Sequence, residues 1–147
     1  MIAIGSDHAG YELKQQLIAY FKEKQIPFED FGTHGLASVD YPDYGIKVGE
    51  AVATGNYAFG IVICGTGIGI SISANKVKGV RAALIYDENT ASLAKRHNNA
   101  NVIALGGRTH SIELAIKLFE TFKNETFEAR HQQRLDKLSN YEKEHCK

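Results

Sequence analysis

The stretch Phe59-Gly60-Ile61-Val62-Ile63-Cys64-Gly65-Thr66-Gly67-Ile68-Gly69, running on through Ile70 to Lys76, decides how this chain is read. Phe59 to Cys64 is a short continuous apolar run with the character of a buried strand. The glycines after it make a turn, and Ile70 to Lys76 can continue as a helix. Strand, glycine turn and helix form a geometry that holds anions, because free backbone N–H groups and the positive end of the helix dipole converge on one point. The same field would favour the thiolate form of a cysteine placed there, so Cys64 reads as the reactive group.

Working outward, Ile2 to Ile4 reads as a short buried strand ending at Gly5-Ser6-Asp7-His8. From about Ala9 to Lys24, Leu13, Leu17, Ile18 and Phe21 recur at helical spacing. Pro27 ends that connection, Phe28 to Phe31 suggests a second strand, and Gly32 to Asp40 a loop. Pro42 suits the first turn of a helix that buries Tyr44, Val48 and Val52. Downstream of the glycine loop, the helix should end near Lys78-Gly79, and Val80 to Tyr86 forms a fourth strand. Asp87 to His97 is a helix, Asn101 to Leu105 a fifth strand, and Ser111 to Phe122 a helix with Ile112, Ala115, Ile116, Phe119 and Phe122 inward. This alternation predicts an α/β fold: a three-layer α/β/α, Rossmann-like, doubly wound parallel sheet of about five strands.

At 147 residues the chain fits one domain spanning 1–147. The segment from Arg130 to Lys147 differs from the rest, with a thin apolar stripe of Leu135, Leu138 and Tyr141. It reads as a C-terminal helical arm, lying on its own domain or docking on a second subunit.

Seventeen basic and seventeen acidic side chains cancel, so nothing in the charge calls for nucleic acid or an anionic membrane surface. Two cysteines, Cys64 and Cys146, are not a disulfide framework, and a reducing, cytoplasmic setting is the simpler expectation. Met1-Ile2-Ala3-Ile4-Gly5 has neither the basic nor the long apolar region of a secretory signal. The uncharged stretch from Ala51 to Asn75 is broken by five glycines and by the Gly55-Asn56 turn, so no membrane span is expected.

Ligands of open parallel sheets bind beyond the carboxyl ends of the strands. Asp7 and His8 follow the first strand, Cys64 the third, Asp87 the fourth and Arg108 the fifth, so one rim collects an acid, an imidazole, a thiol and a guanidinium. His97 and Asn98 end the fourth helix, where a histidine is either a favourable C-terminal cation or a catalyst. Arg130 and Arg134, four apart, project from one helix face and either clamp a phosphate or form a solvated basic patch. The loop also offers a weaker reading as a non-catalytic nucleotide-binding module. Its glycines are spaced G-x-G-x-G, and Asp87 stands about where a ribose-binding acid would.

Six strings carry a resemblance: GSDHAG at 5–10, DYPDY at 40–44, CGTGIGISISANK at 64–76, RHNNANV at 96–102, GGR at 106–108 and RHQQR at 130–134. In register over nearly the whole chain, they resemble the type B ribose-5-phosphate isomerases, in the sugar-phosphate isomerase family that also includes galactose-6-phosphate isomerase. The resemblance implies an aldose–ketose isomerase that interconverts ribose 5-phosphate and ribulose 5-phosphate with no metal or organic cofactor. Cys64 matches the base that moves a proton between C2 and C1, and His97 the group that opens the furanose ring, with Thr66 as helper. Gly65, Gly67, Ile68 and Gly69 match the anion hole that holds the enediolate. Asp7, His8 and Asn98 match substrate contacts, Arg108, Arg130 and Arg134 the phosphate site, and Tyr41 the pocket wall. Some relatives place a glutamate as base where Ile70 stands here, so the cysteine-type subgroup is implied. The family further implies a homodimer or homotetramer with active sites shared between chains. An isomerase of a six-carbon sugar phosphate, such as galactose 6-phosphate or allose 6-phosphate, is the alternative within this class.

Overall fold

The computed structural model describes residues 1–145; Cys146, and the end of the helix expected to reach Lys147, lie outside the described residues. Five strands alternate with helices: β1 (Ile2–Ser6), α1 (Tyr11–Glu23), β2 (Phe28–Asp30), α2 (Tyr41–Ala53), β3 (Phe59–Cys64), α3 (Ile68–Ala74), β4 (Ala82–Leu84), α4 (Glu88–Arg96), β5 (Val102–Gly106) and α5 (Ile112–Asn124). A 3-10 turn, Ala129–His131, then leads into α6 (Gln132–His145). All strand pairs are parallel, in the order β2-β1-β3-β5-β4. This is the expected doubly wound sheet, with helices on both faces and a C-terminal helix.

The period-two alternation of the central strands assigns the helices to their faces. Ile2, Ile4, Phe59, Ile61, Ile63, Ile103 and Leu105 pack with α1, α4 and α5. The smaller set Ala3, Val62, Cys64, Val102 and Ala104 packs with α2 and α3. Small side chains let the second helix layer sit close: a Cβ on Gly60 would lie 2.8 Å from both Val48 and Val52. The parity of β3 therefore turns the Cys64 thiol toward α2 and α3.

Several boundaries differ from those read from the sequence. The third helix ends at Ala74, because the Asn75 amide leaves the helix to pair with the backbone N–H (2.8 Å) and carbonyl (3.0 Å) of Ala82. β4 is only three residues long, not Val80 to Tyr86; as an edge strand it pairs with β5 alone. Asn101 replaces the missing rung at its start, its side-chain oxygen accepting from the Arg81 N–H at 2.7 Å. In α5 the fully buried stripe is Ala115, Leu118, Phe119 and Phe122, with Ile112 and Ile116 only partly covered. The last helix begins at Gln132 rather than Arg130, since Arg130 belongs to the 3-10 turn. No helix among the described residues is long and apolar enough to cross a membrane.

Candidate active site

The strand order puts a topological switch between β1 and β3, the place where open α/β sheets leave a crevice at their carboxyl edge. A cleft of about 250 Å³ lies there, and Asp7, His8, Tyr41, Cys64, Thr66 and Arg108 all line it. Asp7 is buried, and its Oδ1 accepts from the Gly10 N–H at 3.0 Å, which fixes the turn into α1. The His8 Nδ1 accepts from the Val39 N–H at 3.1 Å, so the ring carries its proton on Nε2.

Cys64 is 5% exposed, and its Sγ accepts a hydrogen bond from the Gly67 N–H at 3.2 Å. That bond requires the loop to double back, which Gly67 does by adopting φ +83°. An added Cβ there would meet Leu84 Cδ1 at 2.6 Å, so both conformation and space select glycine. The Thr66 Oγ1 accepts from the Ile68 N–H at 3.2 Å, while the first turn of α3 leaves the N–H groups of Gly69 and Ile70 without intrahelical acceptors. The Tyr41 ring lies over Gly69, where a Cβ would come within 2.7 Å of it. Arg108 is tied to the same loop: its N–H donates to the Gly65 carbonyl at 2.9 Å, and its Nη1 would be 2.9 Å from a Cβ on Gly65.

The cleft thus collects Asp7, His8, Tyr41, Cys64, the loop and Arg108 from four separate segments. Asp87, expected on the same rim, is not in it. Its carboxylate caps α4 by accepting from the Thr90 N–H at 2.7 Å, a structural use that holds its pKa below the ordinary carboxylate value through that same bond. The acid required by the nucleotide reading is therefore already engaged.

His97, Asn98, Arg130 and Arg134 are not in this cleft either. α4 returns against the strand direction, which leaves His97, its C-cap, beside the start of β5. The Asn101 carbonyl pairs with the Gly60 N–H (2.9 Å) at the opening of β3, whereas Cys64 ends that strand. Four steps along β3 from Gly60 to Cys64, at roughly 3.3 Å each, put about 13 Å between the two ends. Asn98 instead borders a groove of about 450 Å³ between β4 and α6.

At that opposite end a second polar cluster forms, which includes two residues not singled out from the sequence, Glu128 and His131. Glu128 Oε2 accepts from Arg96 Nε at 2.8 Å and forms an ion pair with Arg96 Nη2, also at 2.8 Å, and Oε1 accepts from Arg130 Nη2 at 2.9 Å. His97 Nε2 and His131 Nε2 stand 3.9 and 3.8 Å from the same Oε1. The hydrogen bonds from Arg96 and then Arg130 lower the Glu128 pKa, so it is a carboxylate at neutral pH. Burial, followed by the neighbouring Arg130, His97 and Arg134, lowers that of His131. Only Arg130-His131 adjacency hinted at this in the sequence; the partners Arg96 and Glu128 are 32 residues apart.

His97, Glu128 and His131 offer donor atoms within 4.8 Å of one another, the residue types of a zinc site. Both carboxylate oxygens are already engaged by guanidinium groups, and Arg134 Nη1 lies 3.5 Å from His131 Nδ1. Arg96, Arg130 and Arg134 against the two carboxylates of Glu125 and Glu128 still leave a net positive corner, which suits an anion better than a cation.

Residues 2–138 match the ribose/galactose isomerase family. The chain is 41% identical over 139 residues to ribose-5-phosphate isomerase B of Escherichia coli strain K12, covering 94% of this chain and 93% of that one. Its fold matches that of Clostridium thermocellum ribose-5-phosphate isomerase B with a TM-score of 0.94 and 48% identity over 97% of both chains. It also matches Mycoplasma genitalium ribose-5-phosphate isomerase B with bound ribulose-5-phosphate, with a TM-score of 0.91 and 44% identity over 97% of this chain and 96% of that one. Sequence and architecture together place the chain in the ribose/galactose isomerase family.

Proposed function

We propose that this protein is an aldose–ketose isomerase that interconverts ribose 5-phosphate and ribulose 5-phosphate. The observation that carries the reading is Cys64 Sγ held by a glycine loop in the β1/β3 crevice, which Asp7 and Arg108 also line. In the ring-opening step, O1 of the furanose gives up its proton, the C1–O4 bond breaks and O4 is protonated, leaving an open-chain aldehyde. His97 serves that transfer, with Thr66 helping. Cys64 then takes the C2 proton and the electron pair moves onto O1 as an enediolate; the O2 hydroxyl proton passes to O1, and as the proton held by Cys64 returns at C1 the O2 oxygen becomes the C2 ketone. Loop N–H groups hold the developing oxyanion, a contribution of about 3 kcal/mol per well-placed donor. Asp7 and His8 grip the sugar hydroxyls, and Arg108, Arg130 and Arg134 the phosphate.

This chemistry needs His97 and Arg130 next to Cys64, which one chain holds at the opposite end of the parallel strands. A second copy supplies them, so the working unit is a homodimer, or a pair of dimers, with shared sites. Apolar side chains open to solvent favour such a contact: Ile68 and Ile72 are 54% and 56% exposed, and Leu138 and Tyr141 on α6 55% and 61%. The C-terminal helix is accordingly an arm toward the partner, anchored on its own chain by Leu135 and by Glu142 accepting from the Gly79 N–H.

A coupled assay of the purified protein with ribose 5-phosphate tests the activity, and relative kcat/KM on allose 6-phosphate tests the sugar length. Shared sites predict complementation. Inactive Cys64→Ala and His97→Ala chains, mixed in equal amounts under conditions that exchange subunits, should regain about a quarter of wild-type activity, because half the dimers then hold one intact site. No recovery would place both groups in one chain's site. Arg134→Ala should raise KM about tenfold with kcat nearly unchanged, the loss of one charged hydrogen bond to the phosphate. An unchanged KM would put this arginine in solvent.

A further inference from the structure

We infer that Glu128 is a positioning residue that sets His97 and Arg130 as one rigid unit for delivery to the site of a neighbouring chain. The inference rests on the isomerase reading, in which His97 opens the ring and Arg130 holds the phosphate.

The geometry is that of a keystone. Arg96 Nε donates to Glu128 Oε2 at 2.8 Å, with Nη2 in ion-pair contact at the same distance, and the Glu128 N–H donates back to the Arg96 carbonyl at 2.9 Å. The carboxylate is thereby fixed to the last turn of α4, the turn that His97 caps. Its other oxygen holds Arg130 through Nε (3.2 Å) and Nη2 (2.9 Å). A guanidinium has five N–H donors, so the Nη1 pair and the second Nη2 hydrogen remain for a phosphate. Arg130 is 69% exposed and would otherwise sample many rotamers, an entropy the ligand would have to remove on binding. The imidazole of His97 is confined between this same oxygen, 3.9 Å away, and the buried His131 ring, whose centroid is 4.3 Å from its own at 42°. Burial and the neighbouring cationic groups disfavour a charge on His131, and its buried ring packs as a wall against His97.

One substitution therefore touches two steps, and two substrates separate them. Ribose 5-phosphate must be ring-opened; 4-deoxyribose 5-phosphate has no O4 with which to close a furanose and needs only the grip and the proton transfer. For Glu128→Gln, kcat/KM on ribose 5-phosphate should fall about 100-fold, but on the acyclic aldose only about tenfold, with KM raised for both. Thermal unfolding of the variant should remain within a few degrees of wild type. A purely structural loss would lower both substrates by one factor, and that result, or no loss on either, overturns the inference. Arg96→Gln, which frees Oε2 but keeps the carboxylate, should shift the ratio of the two substrates in the same direction by a smaller factor. If Glu128→Gln does not fold, an unchanged ratio in Arg96→Gln overturns the inference instead. Failure of the isomerase reading shows separately, as a wild-type protein that converts neither aldose.

Discussion

Cys64→Ala is expected to lower kcat for ribose 5-phosphate about a thousandfold, with KM changed by less than about threefold. The thiol is 5% exposed and touches the loop through one hydrogen bond from Gly67, so its removal takes away a proton acceptor and little of the binding surface. Cys64→Ser is the sharper test. The hydroxyl preserves the shape and accepts the Gly67 N–H, but serine is too weak an acid to cycle a proton near neutrality, so its rate should fall nearly as far. Exchange of the C2 proton in deuterated water reads the same step directly and should disappear in both variants. Activity within tenfold of wild type would assign the base to another group in the cleft, with the Asp7 carboxylate first in line.

The second large effect is on stability. Lys14→Met should cost about 3 kcal/mol and lower the Tm by about 10 °C. The Lys14 side chain is fully buried, its Nζ 2.6 Å from Asp30 Oδ1 and 2.7 Å from the Thr33 carbonyl. Removing the ammonium leaves a carboxylate and a carbonyl short of a partner; the side chain of Asp30 is 22% exposed, so water offsets part of the loss. The consequence extends to the cleft. The loop that Lys14 grips is laced to the end of β1, with the Ser6 N–H donating to the Gly32 carbonyl at 2.6 Å and the Thr33 N–H to the Ser6 carbonyl at 2.7 Å, one residue before Asp7. Urea unfolding of Lys14→Met, Asp30→Asn and the double variant measures the pair. A single-variant loss under about 1 kcal/mol would show that the buried pair contributes no more than a surface ion pair does.

The layer pattern was open to sequence reading because each element carries its own periodicity. β3 is apolar at consecutive positions, and α1 repeats Leu13, Leu17, Ile18 and Phe21 at helical spacing. Boundaries failed where a side chain from a distant segment ended an element. Asn75 stops α3 by pairing with Ala82, and Asn101 starts β4 by capping the Arg81 N–H. The strand order was likewise unreadable, since alternation says that strands are parallel but not that β5 inserts between β3 and β4.

Cys64 and its glycine loop were legible because an anion-holding turn is made by neighbours in the chain: residue type, glycine conformation and helix start all lie within a few positions. The same holds for Asp7-His8 and Arg108 at strand ends, once the sheet is known to be parallel. Which of these groups meet, by contrast, depends on how the chain folds back on itself. The tertiary structure took Asp87 out of the rim by making it the α4 cap, and it carried His97 to the far end of β5. It also joined Arg96 to Glu128, 32 residues on, and to the adjoining Arg130 and His131, in a cluster that no local pattern announces in full. Local chemistry is encoded in adjacent residues, whereas the distance between sites is set by the direction in which each helix returns across the sheet.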